Sequence, residues 1–318
     1  MTTPIRWGLL GTGNITRKLL AGAALAPDVE VVAVGSRTAE RAREFAAANG
    51  IARAHGSYED LLADPEVDAV YLSLPNGLHH EWTMAALAAG KHVLCEKPYS
   101  RHPDEVTAAF DAADAAGLVL EEAFMWRHTP QVRKLLELLP TIGPIRVVRA
   151  TFGFSIDADY DVRIDPSLDG GSLMDVGCYC VSASRLILGE PVRVSGEQVV
   201  SKAGVDVRFA GVLRFADDRL ATFNCGFDAA TESLEIIGRD GILTLPDPWH
   251  STTGVFYRDG QKIEVEPTNP YQLELQDVNA AIRGEREPLL GRADALGQSL
   301  TIEALYRAAE TGTAATLD

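Results

Sequence analysis

The sequence predicts a two-domain α/β protein, with an N-terminal doubly wound parallel Rossmann sheet and a C-terminal α+β domain built on a mostly antiparallel open sheet. Three features support this prediction. The chain has 318 residues, whereas a single domain typically has roughly 100–200. Short β-rich runs alternate with helical stretches in the first third of the chain, a pattern typical of parallel strands joined by crossovers. Beyond residue 124, strand-like runs follow one another across short turns.

Each β-rich run of the first domain is followed by a helical stretch or a short loop. We expect strands at residues 5–10, 29–35, 52–55, 68–74, 91–95 and 118–121. We expect helices at residues 14–25, 39–48, 78–89 and 104–116. Strands separated by helices pair in parallel, so residues 1–123 are predicted to form a dinucleotide-binding domain.

The second domain, residues 124–318, is predicted to be rich in strands. Turn dipeptides such as Asp217-Asp218 and Asp259-Gly260 join neighbouring runs, which favours antiparallel pairing. The expected strands cover residues 144–154, 192–202, 205–215, 220–227, 232–237, 242–245, 254–257 and 262–266. The expected helices cover residues 132–139, 172–188, 272–283 and 293–309. We assign this domain to substrate binding and to oligomerisation.

Composition and charge exclude several classes of protein. Hydrophobic residues make up 46% of the chain and charged residues 23%, which is ordinary for a globular protein. The net charge is 29 − 45 = −16, and such a surface repels nucleic acid and anionic lipid. No apolar run reaches the roughly 20 residues of a membrane span, and the N-terminal residues do not resemble a signal peptide. The 4 cysteines are too few for a disulfide framework, so we expect a cytoplasmic location.

A glycine-rich segment lies where the first predicted strand turns into the first helix. Gly11 allows a tight turn, and Gly13 lets a pyrophosphate approach the backbone. The amides at the helix N-terminus then face that anion. Thr16 occupies the position where the dinucleotide-binding pattern has its third glycine. The alternative is a turn that only saves space.

The residues after the second strand predict which dinucleotide binds. An NAD-dependent enzyme usually has an acidic residue here that binds the ribose 2′-hydroxyl. This chain has Ser36 and Arg37 instead, and Arg41 follows about one helical turn later. Because a planar guanidinium suits a phosphate, we predict NADP(H) rather than NAD(H). The alternative is a pair of solvated arginines on a surface helix.

Two further segments contain residues that suit acid–base chemistry. Lys97 follows the fifth strand, at the edge of a parallel sheet where ligands bind, and Pro98 keeps its backbone extended. If a helix begins at Ser172, then Asp175 and Tyr179 lie one turn apart on the same face. Asp175 could instead form a capping box with Ser172, and Tyr179 could be a core aromatic residue. The spacing alone does not decide between these alternatives.

Taken together, these motifs resemble the glucose–fructose oxidoreductase, inositol dehydrogenase and rhizopine-catabolism (Gfo/Idh/MocA) family. Many members of that family have a histidine at the position of Tyr179, whereas this chain resembles the branch with tyrosine. That branch includes NADP-dependent xylose dehydrogenases and dimeric dihydrodiol dehydrogenase. The matching segments are Gly11-Thr12-Gly13-Asn14-Ile15, Leu74-Pro75-Asn76 with His79, Glu96-Lys97-Pro98, and Gly170-Gly171 with Asp175 and Tyr179.

The resemblance implies hydride transfer between a sugar carbon and the nicotinamide of NADP, with Tyr179 as the proton carrier. Lys97 would stabilise the ionised phenol, and Asp175 would hold Lys97 or bind a substrate hydroxyl. The residues expected to contact the cofactor are Gly11, Thr12, Gly13, Asn14, Ile15, Ser36, Arg37, Arg41, Leu74, Pro75, Asn76, His79, Glu96, Lys97, Trp126 and Arg127. The residues expected to contact the substrate are Lys97, Trp126, Phe154, Arg163, Asp175 and Tyr179. For the less specific of these positions, packing or surface roles are the alternatives.

The predicted function is that of an NADP-dependent aldose 1-dehydrogenase of the xylose type. The alternatives are a 3-ketoreductase acting on a nucleotide-linked deoxysugar, a glycosidase that retains its NAD, and a non-catalytic NADP(H) sensor. Neither the His-Glu-x-x-His pattern nor a pair of Cys-x-x-Cys motifs occurs, so the spacing predicts no metal site. A strand-rich half with few covering helices indicates a homodimer or homotetramer formed through the C-terminal sheet.

Overall fold

The computed structural model describes residues 3–156 and 161–317. Within them, no helix is both long enough and apolar enough to cross a membrane. The chain divides into two compact units. The first unit comprises Met1–Ser100, Asp104–His128 and Asn269–Ala295. The second unit comprises Arg101–Pro103, Thr129–Thr268 and Leu296–Asp318.

The first unit contains a six-stranded parallel sheet. Its strands are β1 (Ile5–Leu10), β2 (Val29–Gly35), β3 (Arg53–His55), β4 (Ala69–Leu72), β5 (His92–Glu96) and β6 (Leu120–Ala123). The helices between them are α1 (Asn14–Ala23), α2 (Ala39–Asn49), α3 (Tyr58–Leu62), α4 (His79–Ala88) and α5 (Pro103–Ala116). The strand order is β3-β2-β1-β4-β5-β6, which is the order of the Rossmann fold. The predicted sheet is confirmed, whereas the sequence analysis did not predict α3.

The second unit contains a nine-stranded sheet in the order β14-β13-β12-β11-β7-β10-β9-β8-β15. The pairing of β7 with β10 is parallel, and the other described pairs are antiparallel, so the predicted sheet type is confirmed. In chain order, the elements from residue 130 to 264 are α6 (Pro130–Leu138), β7 (Ile145–Gly153), a π-helical segment (Leu173–Gly177), α7 (Cys178–Leu188), β8 (Arg193–Val200), β9 (Asp206–Arg214), β10 (Leu220–Gly226), β11 (Thr231–Gly238), β12 (Ile242–Leu245), β13 (Val255–Arg258) and β14 (Gln261–Glu264). The last elements are α8 (Pro270–Ile282), α9 (Arg292–Thr311) and β15 (Ala315–Thr316).

Helix α8 returns to the first unit and packs against α1. The indole Nε1 of the fully buried Trp7 donates to Asn279 Oδ1 at 3.1 Å, and Asn279 Nδ2 donates to the carbonyl of Asp28 at 2.8 Å. A Cβ at Gly22 would lie 2.6 Å from the backbone nitrogen of Gln272, so α1 has room only for glycine there. The sequence analysis divided the chain once, at residue 123, and did not predict that α8 belongs to the first unit. The assignment of functions to residues 1–123 and 124–318 stays a prediction.

Acidic side chains are buried between β6 and α8. Glu121 on β6 and Glu274 on α8 are each 0% exposed. Glu121 Oε1 accepts a hydrogen bond from the backbone nitrogen of Leu290 at 3.3 Å. Burial disfavours the ionised form, and it raises the pKa of Glu121 to about 8 and that of Glu274 well above its usual value. Burial in the first unit therefore favours the neutral form of both carboxyl groups.

The raised pKa of Glu121 predicts a pH-dependent stability. The pKa of this carboxyl has its usual value of 4.5 in the unfolded chain and rises to about 8 in the folded chain. Between these values the folded chain binds more protons than the unfolded chain, so its free energy of unfolding falls by up to about 1.4 kcal/mol for each pH unit of increase. Glu121→Gln removes this slope, and the new amide oxygen can still accept from Leu290. We expect the variant to be more stable than the wild type at pH 8, and the difference to disappear near pH 4.5.

Urea unfolding between pH 4.5 and pH 8.5 measures this difference. Glu285→Gln is the control, because Glu285 is exposed and its substitution should leave the pH slope of the wild type unchanged. Parallel stability profiles for the wild type and Glu121→Gln would contradict the prediction.

Candidate active site

The turn from β1 to α1 has the shape that a dinucleotide pyrophosphate requires. Gly11 has φ +112°, and a Cβ there would lie 2.8 Å from Ser73 Oγ. A Cβ at Gly13 would meet no atom within 4 Å, so the backbone there is open to an approaching group. Helix α1 begins at Asn14 and has no acidic residue in its first turn. The amides at this helix N-terminus therefore suit an anion.

Thr16 explains why the third glycine of the pattern is missing. Its side chain is fully buried, and its hydroxyl lies 2.8 Å from Ser73 Oγ and 3.4 Å from the carbonyl of Gly11. Ser73 Oγ in turn donates to the carbonyl of Leu10 at 3.1 Å. The hydroxyl groups of Thr16 and Ser73 therefore connect the glycine turn to the segment that follows β4.

Two arginines follow the carboxyl end of β2, Arg37 before α2 and Arg41 within it. Thr38 Oγ1 accepts from the backbone nitrogen of Arg41 at 3.3 Å and caps α2. Burial raises the pKa of Tyr58, and the positive charges of Arg37 and Arg41 oppose that rise. The charges of both guanidinium groups therefore act on the same hydroxyl, and a planar guanidinium suits a 2′-phosphate. Tyr58 was missed by the sequence analysis because it begins the unpredicted helix α3.

His79 connects the segments that follow β4 and β5. The ring is fully buried, with Nδ1 2.9 Å from the carbonyl of Pro98 and Nε2 2.8 Å from the carbonyl of Leu74. Both ring nitrogens thus lie against backbone carbonyls, which gives His79 a positioning function for the neighbouring segments. Its predicted contact with the cofactor stays a prediction.

Lys97 follows β5 and is held through the side chain before it. The hydroxyl of Tyr71 donates to Glu96 Oε1, and the backbone nitrogen of Lys97 donates to Glu96 Oε2 at 3.3 Å. Glu96 is 9% exposed and Tyr71 is fully buried. The two carboxylate oxygens of Glu96 therefore link the strand interior to the backbone of Lys97. Sequence analysis did not single out Tyr71, because an aromatic residue in a buried strand has no distinguishing pattern.

Trp126 and Arg127 follow β6 in the first unit. Trp126 is buried, and the Arg127 guanidinium lies 5.8 Å from the centroid of its ring. Arg127 Nη1 also lies 3.5 Å from Asp294 Oδ1. These contacts fix the orientation of both side chains, and their predicted contacts with cofactor and substrate stay predictions.

The helix that carries Asp175 and Tyr179 is irregular. Leu173–Gly177 is π-helical, and the regular helix α7 begins only at Cys178. Asp175 lies in the π-helical segment, and Tyr179 is the second residue of α7. The sequence argument assumed an α-helix from Ser172, so its four-residue spacing does not apply to this backbone. Single π-helical turns inside helices occur frequently at functional sites.

A buried carboxylate determines where this helix starts. Asp206 accepts hydrogen bonds from Ser172 Oγ at 2.7 Å, from the backbone nitrogen of Leu173 at 2.8 Å and from the hydroxyl of Tyr306 at 2.8 Å. Ser172 therefore donates to Asp206 and makes no capping bond of its own. The capping-box alternative for Asp175 is not formed. Asp206 was missed, because no local pattern connects it to a helix 34 residues earlier.

Asp175 pairs with Arg163. Arg163 Nε donates to Asp175 Oδ2 at 3.0 Å, and its Nη1 donates to Asp161 Oδ1 at 3.1 Å. The guanidinium also lies 5.6 Å from the centroid of the Phe154 ring. Three residues predicted to contact the substrate, Phe154, Arg163 and Asp175, therefore lie together in the second unit. Arg163 is positioned to orient the carboxylate of Asp175.

Aromatic rings surround the side chain of Tyr179. Its ring meets that of Phe152 edge to face at a centroid distance of 5.1 Å, and that of Trp249 at 5.8 Å. Tyr179 is 7% exposed. Such aromatic contacts hold a phenol in one orientation. Lys97 belongs to the first unit and Tyr179 to the second, and their predicted pairing stays a prediction.

Comparison with known protein families places these features in a known class. The model described as "Oxidoreductase family, NAD-binding Rossmann fold" matches residues 5–124, and the "GFO/IDH/MocA C-terminal domain" matches residues 131–244. The chain belongs to the Gfo/Idh/MocA oxidoreductase family. The resemblance predicted from the motifs is therefore confirmed.

Particular relatives are similar over nearly the whole chain. The D-xylose 1-dehydrogenase (NADP(+)) 2 of Haloferax volcanii is 40% identical, over 98% of this chain and 99% of the relative. The scyllo-inositol 2-dehydrogenase (NADP(+)) IolU of Bacillus subtilis is 33% identical over 84% of each chain. Among solved structures, the 3-ketoreductase KijD10 of Actinomadura kijaniata, in complex with NADP and TDP-benzene, has a TM-score of 0.91 and 30% identity, covering 96% of this chain and 98% of the other.

The geometry around Asp206 predicts a specific sensitivity at Gly171. Gly171 has φ +132°, and a Cβ there would overlap Asp206 Oδ1. Gly171→Ala therefore meets both an unfavourable backbone conformation and a collision with the carboxylate. The matched control is Gly204→Ala, since Gly204 has φ +100° but a Cβ there would meet no atom within 4 Å. We expect the control to lose about 1–2 kcal/mol of stability, and Gly171→Ala to lose a further 1–3 kcal/mol, roughly the cost of overpacking.

Urea unfolding measures both variants against the wild type. Equal losses at the two glycines would contradict the proposed importance of the contact between Gly171 and Asp206.

Proposed function

We propose that this chain is an NADP-dependent aldose 1-dehydrogenase that oxidises a free sugar of the D-xylose class. The observation that carries the proposal is the 40% identity, over 98% of the chain, to a D-xylose 1-dehydrogenase (NADP(+)). The geometry of each unit supports it. The first unit offers a turn suited to a pyrophosphate and two arginines beyond β2, and the second offers a tyrosine packed against aromatic rings and a carboxylate paired with Arg163.

The residues present fit NADP. The open backbone at Gly13 and the N-terminus of α1 suit the pyrophosphate, and Arg37 and Arg41 suit the 2′-phosphate. The chain carries a net charge of −16, so these local donors have to overcome a repulsive surface field. When bound, NADP supplies the nicotinamide carbon that takes up the hydride.

The proposed proton carrier is Tyr179. Its phenolate oxygen takes the proton of a sugar hydroxyl while the carbon that bears this hydroxyl transfers its hydride to NADP⁺. In the reverse reaction, the phenol returns the proton to the sugar oxygen. Lys97 stabilises the phenolate, since a nearby positive charge favours the ionised form. Asp175, oriented by Arg163, binds a hydroxyl of the sugar or the Lys97 ammonium. Glu96 Oε2 accepts a hydrogen bond from the backbone nitrogen of Lys97 and so holds this backbone in place.

A second candidate is reduction of a 3-keto group on a nucleotide-linked sugar. The observation in its favour is the TM-score of 0.91 with the 3-ketoreductase KijD10. Turnover of free D-xylose with NADP⁺ supports the first candidate, and turnover only of a nucleotide-linked ketosugar supports the second.

We further propose a cytoplasmic homodimer or homotetramer that associates through the C-terminal sheet. The four cysteines are buried thiols, which suits a reducing compartment. Two neighbouring strands of this sheet carry the exposed apolar residues Val199, Val200 and Val212, and an apolar sheet surface of this kind favours association.

Replacing the proposed proton carrier tests the function. Tyr179→Phe keeps the ring that packs on Phe152 and Trp249 but removes the hydroxyl. We expect kcat for D-xylose oxidation to fall by about 10²–10⁴-fold, the range attributed to general acid–base catalysis. Binding of NADPH should stay within a factor of about two, because the cofactor contacts are proposed for the first unit.

NADPH absorbance measures turnover, and quenching of tryptophan fluorescence measures cofactor binding. Tyr257→Phe on β13 is the control, because no site function is assigned to Tyr257, and it should keep the kcat of the wild type. A Tyr179→Phe enzyme with near-normal kcat would contradict the proton-carrier role.

A further inference from the structure

A second cluster of polar side chains lies beside the aromatic rings of the second unit. Glu232 on β11 is the cross-strand partner of Phe152 on β7. Asp247 and His250 lie in the turn between β12 and β13, on either side of Trp249. The indole Nε1 of Trp249 donates to the carbonyl of Thr151 at 2.9 Å, and its ring stacks on Phe152 at 5.8 Å. This buried tryptophan holds the turn against the sheet, which brings the three polar side chains together.

The three side chains are close enough to bind one ion. One nitrogen or oxygen atom from each of Glu232, Asp247 and His250 lies within 4.8 Å of the other two. His250 Nδ1 is 3.2 Å from Glu232 Oε2. Ligands bound at about 2.0–2.2 Å to a tetrahedral zinc ion lie roughly 3.4 Å apart, so binding an ion requires the three side chains to move closer together by at most about 1.4 Å.

Asp247 provides an independent indication of a ligand. It is 6% exposed. Its Oδ2 accepts from Thr252 Oγ1 at 2.5 Å and from the backbone nitrogen of Thr253 at 2.9 Å. Its Oδ1 is buried and has no hydrogen-bond partner among the residues that the structure describes. A buried carboxylate oxygen without a partner is costly, and an ion or a water molecule is a usual reason for one.

We propose that Glu232, Asp247 and His250 bind a divalent transition-metal ion of the zinc type. Two carboxylates and a neutral imidazole match the charge and the ligand preference of such an ion. Three protein ligands leave one coordination position for water or for an oxygen of a small molecule. Glu232 is 30% and His250 40% exposed in their side chains, so the ion can enter from solvent.

The position of this site gives the ion a structural consequence. It connects β11 to the turn that carries Trp249, and Trp249 packs against the ring of Tyr179. A bound ion therefore stabilises the aromatic surroundings of Tyr179. Anything that binds only the folded chain raises its melting temperature, and this effect is independent of the substrate. Metal binding can therefore be measured independently of the proposed dehydrogenase activity.

Titration of the metal-free full chain with Co²⁺ tests the proposal. After removal of metal with a chelator, we expect one Co²⁺ per chain, visible absorption bands of a low-symmetry Co²⁺ site, displacement of Co²⁺ by Zn²⁺, and a melting temperature that rises with added Zn²⁺. Glu232→Gln and His250→Gln should each weaken binding by about ten-fold or more, as the loss of a ligand requires. Asp247→Asn should do the same, while its remaining oxygen can accept from Thr253.

The control variants are Glu197→Gln and His102→Gln. Glu197 is an exposed carboxylate on β8 of the same sheet, and His102 is an exposed histidine outside the cluster, so both should bind Co²⁺ like the wild type. The proposal is overturned if the wild type binds no stoichiometric Co²⁺, or if binding persists unchanged in Glu232→Gln and His250→Gln.

Discussion

The buried carboxylate of Asp206 is the contact on which the geometry of the second unit depends. Isolated in an apolar interior, a carboxylate would be strongly destabilising. Here donors from Ser172, from Leu173 and from Tyr306 surround it. These bonds connect the first residue of β9 to the start of the π-helical segment and to α9. They also require Gly171, because a side chain there would occupy the position of the carboxylate.

The irregular helix start has a consequence for chemistry. A π-helical turn changes the direction in which successive side chains project, so Asp175 and Tyr179 project differently from residues four apart on a regular helix. Asp175 accepts a hydrogen bond from Arg163, whereas the ring of Tyr179 packs against the rings of Phe152 and Trp249. One short segment thereby supplies a partly exposed, charge-paired acid and a shielded phenol.

Much of the fold could be predicted from the sequence. The predicted bounds of β1, β2 and β12 agree with the structure, because each is a short run rich in apolar and β-branched residues that ends at a glycine or just before a glycine or a proline. The short helix α3 and the two-residue strand β15 were not predicted, since neither carries a long periodic pattern. The return of α8 to the first unit depends on the contact of Trp7 with Asn279, which lie 272 residues apart.

In the candidate site, too, local features could be predicted from the sequence and contacts between distant residues could not. Motifs that act through local backbone, such as the turn at Gly11 and Gly13, were visible in the sequence. Side chains that act through partners distant in sequence were not. Asp206 shows this limit, and so does Glu232, which is 18 residues from His250. A search by motif spacing predicts no metal site because it considers only ligands at standard separations along the chain.

Hydride transfer from the sugar can be followed directly with an isotope label. D-xylose that carries deuterium at its anomeric carbon is incubated with the enzyme and NADP⁺. The reduced cofactor is then isolated, and its mass is measured by mass spectrometry. We expect each molecule of reduced cofactor to carry one deuterium on its nicotinamide ring. Reduced cofactor without deuterium would show that another carbon is oxidised, and the absence of reduced cofactor would contradict the dehydrogenase function altogether.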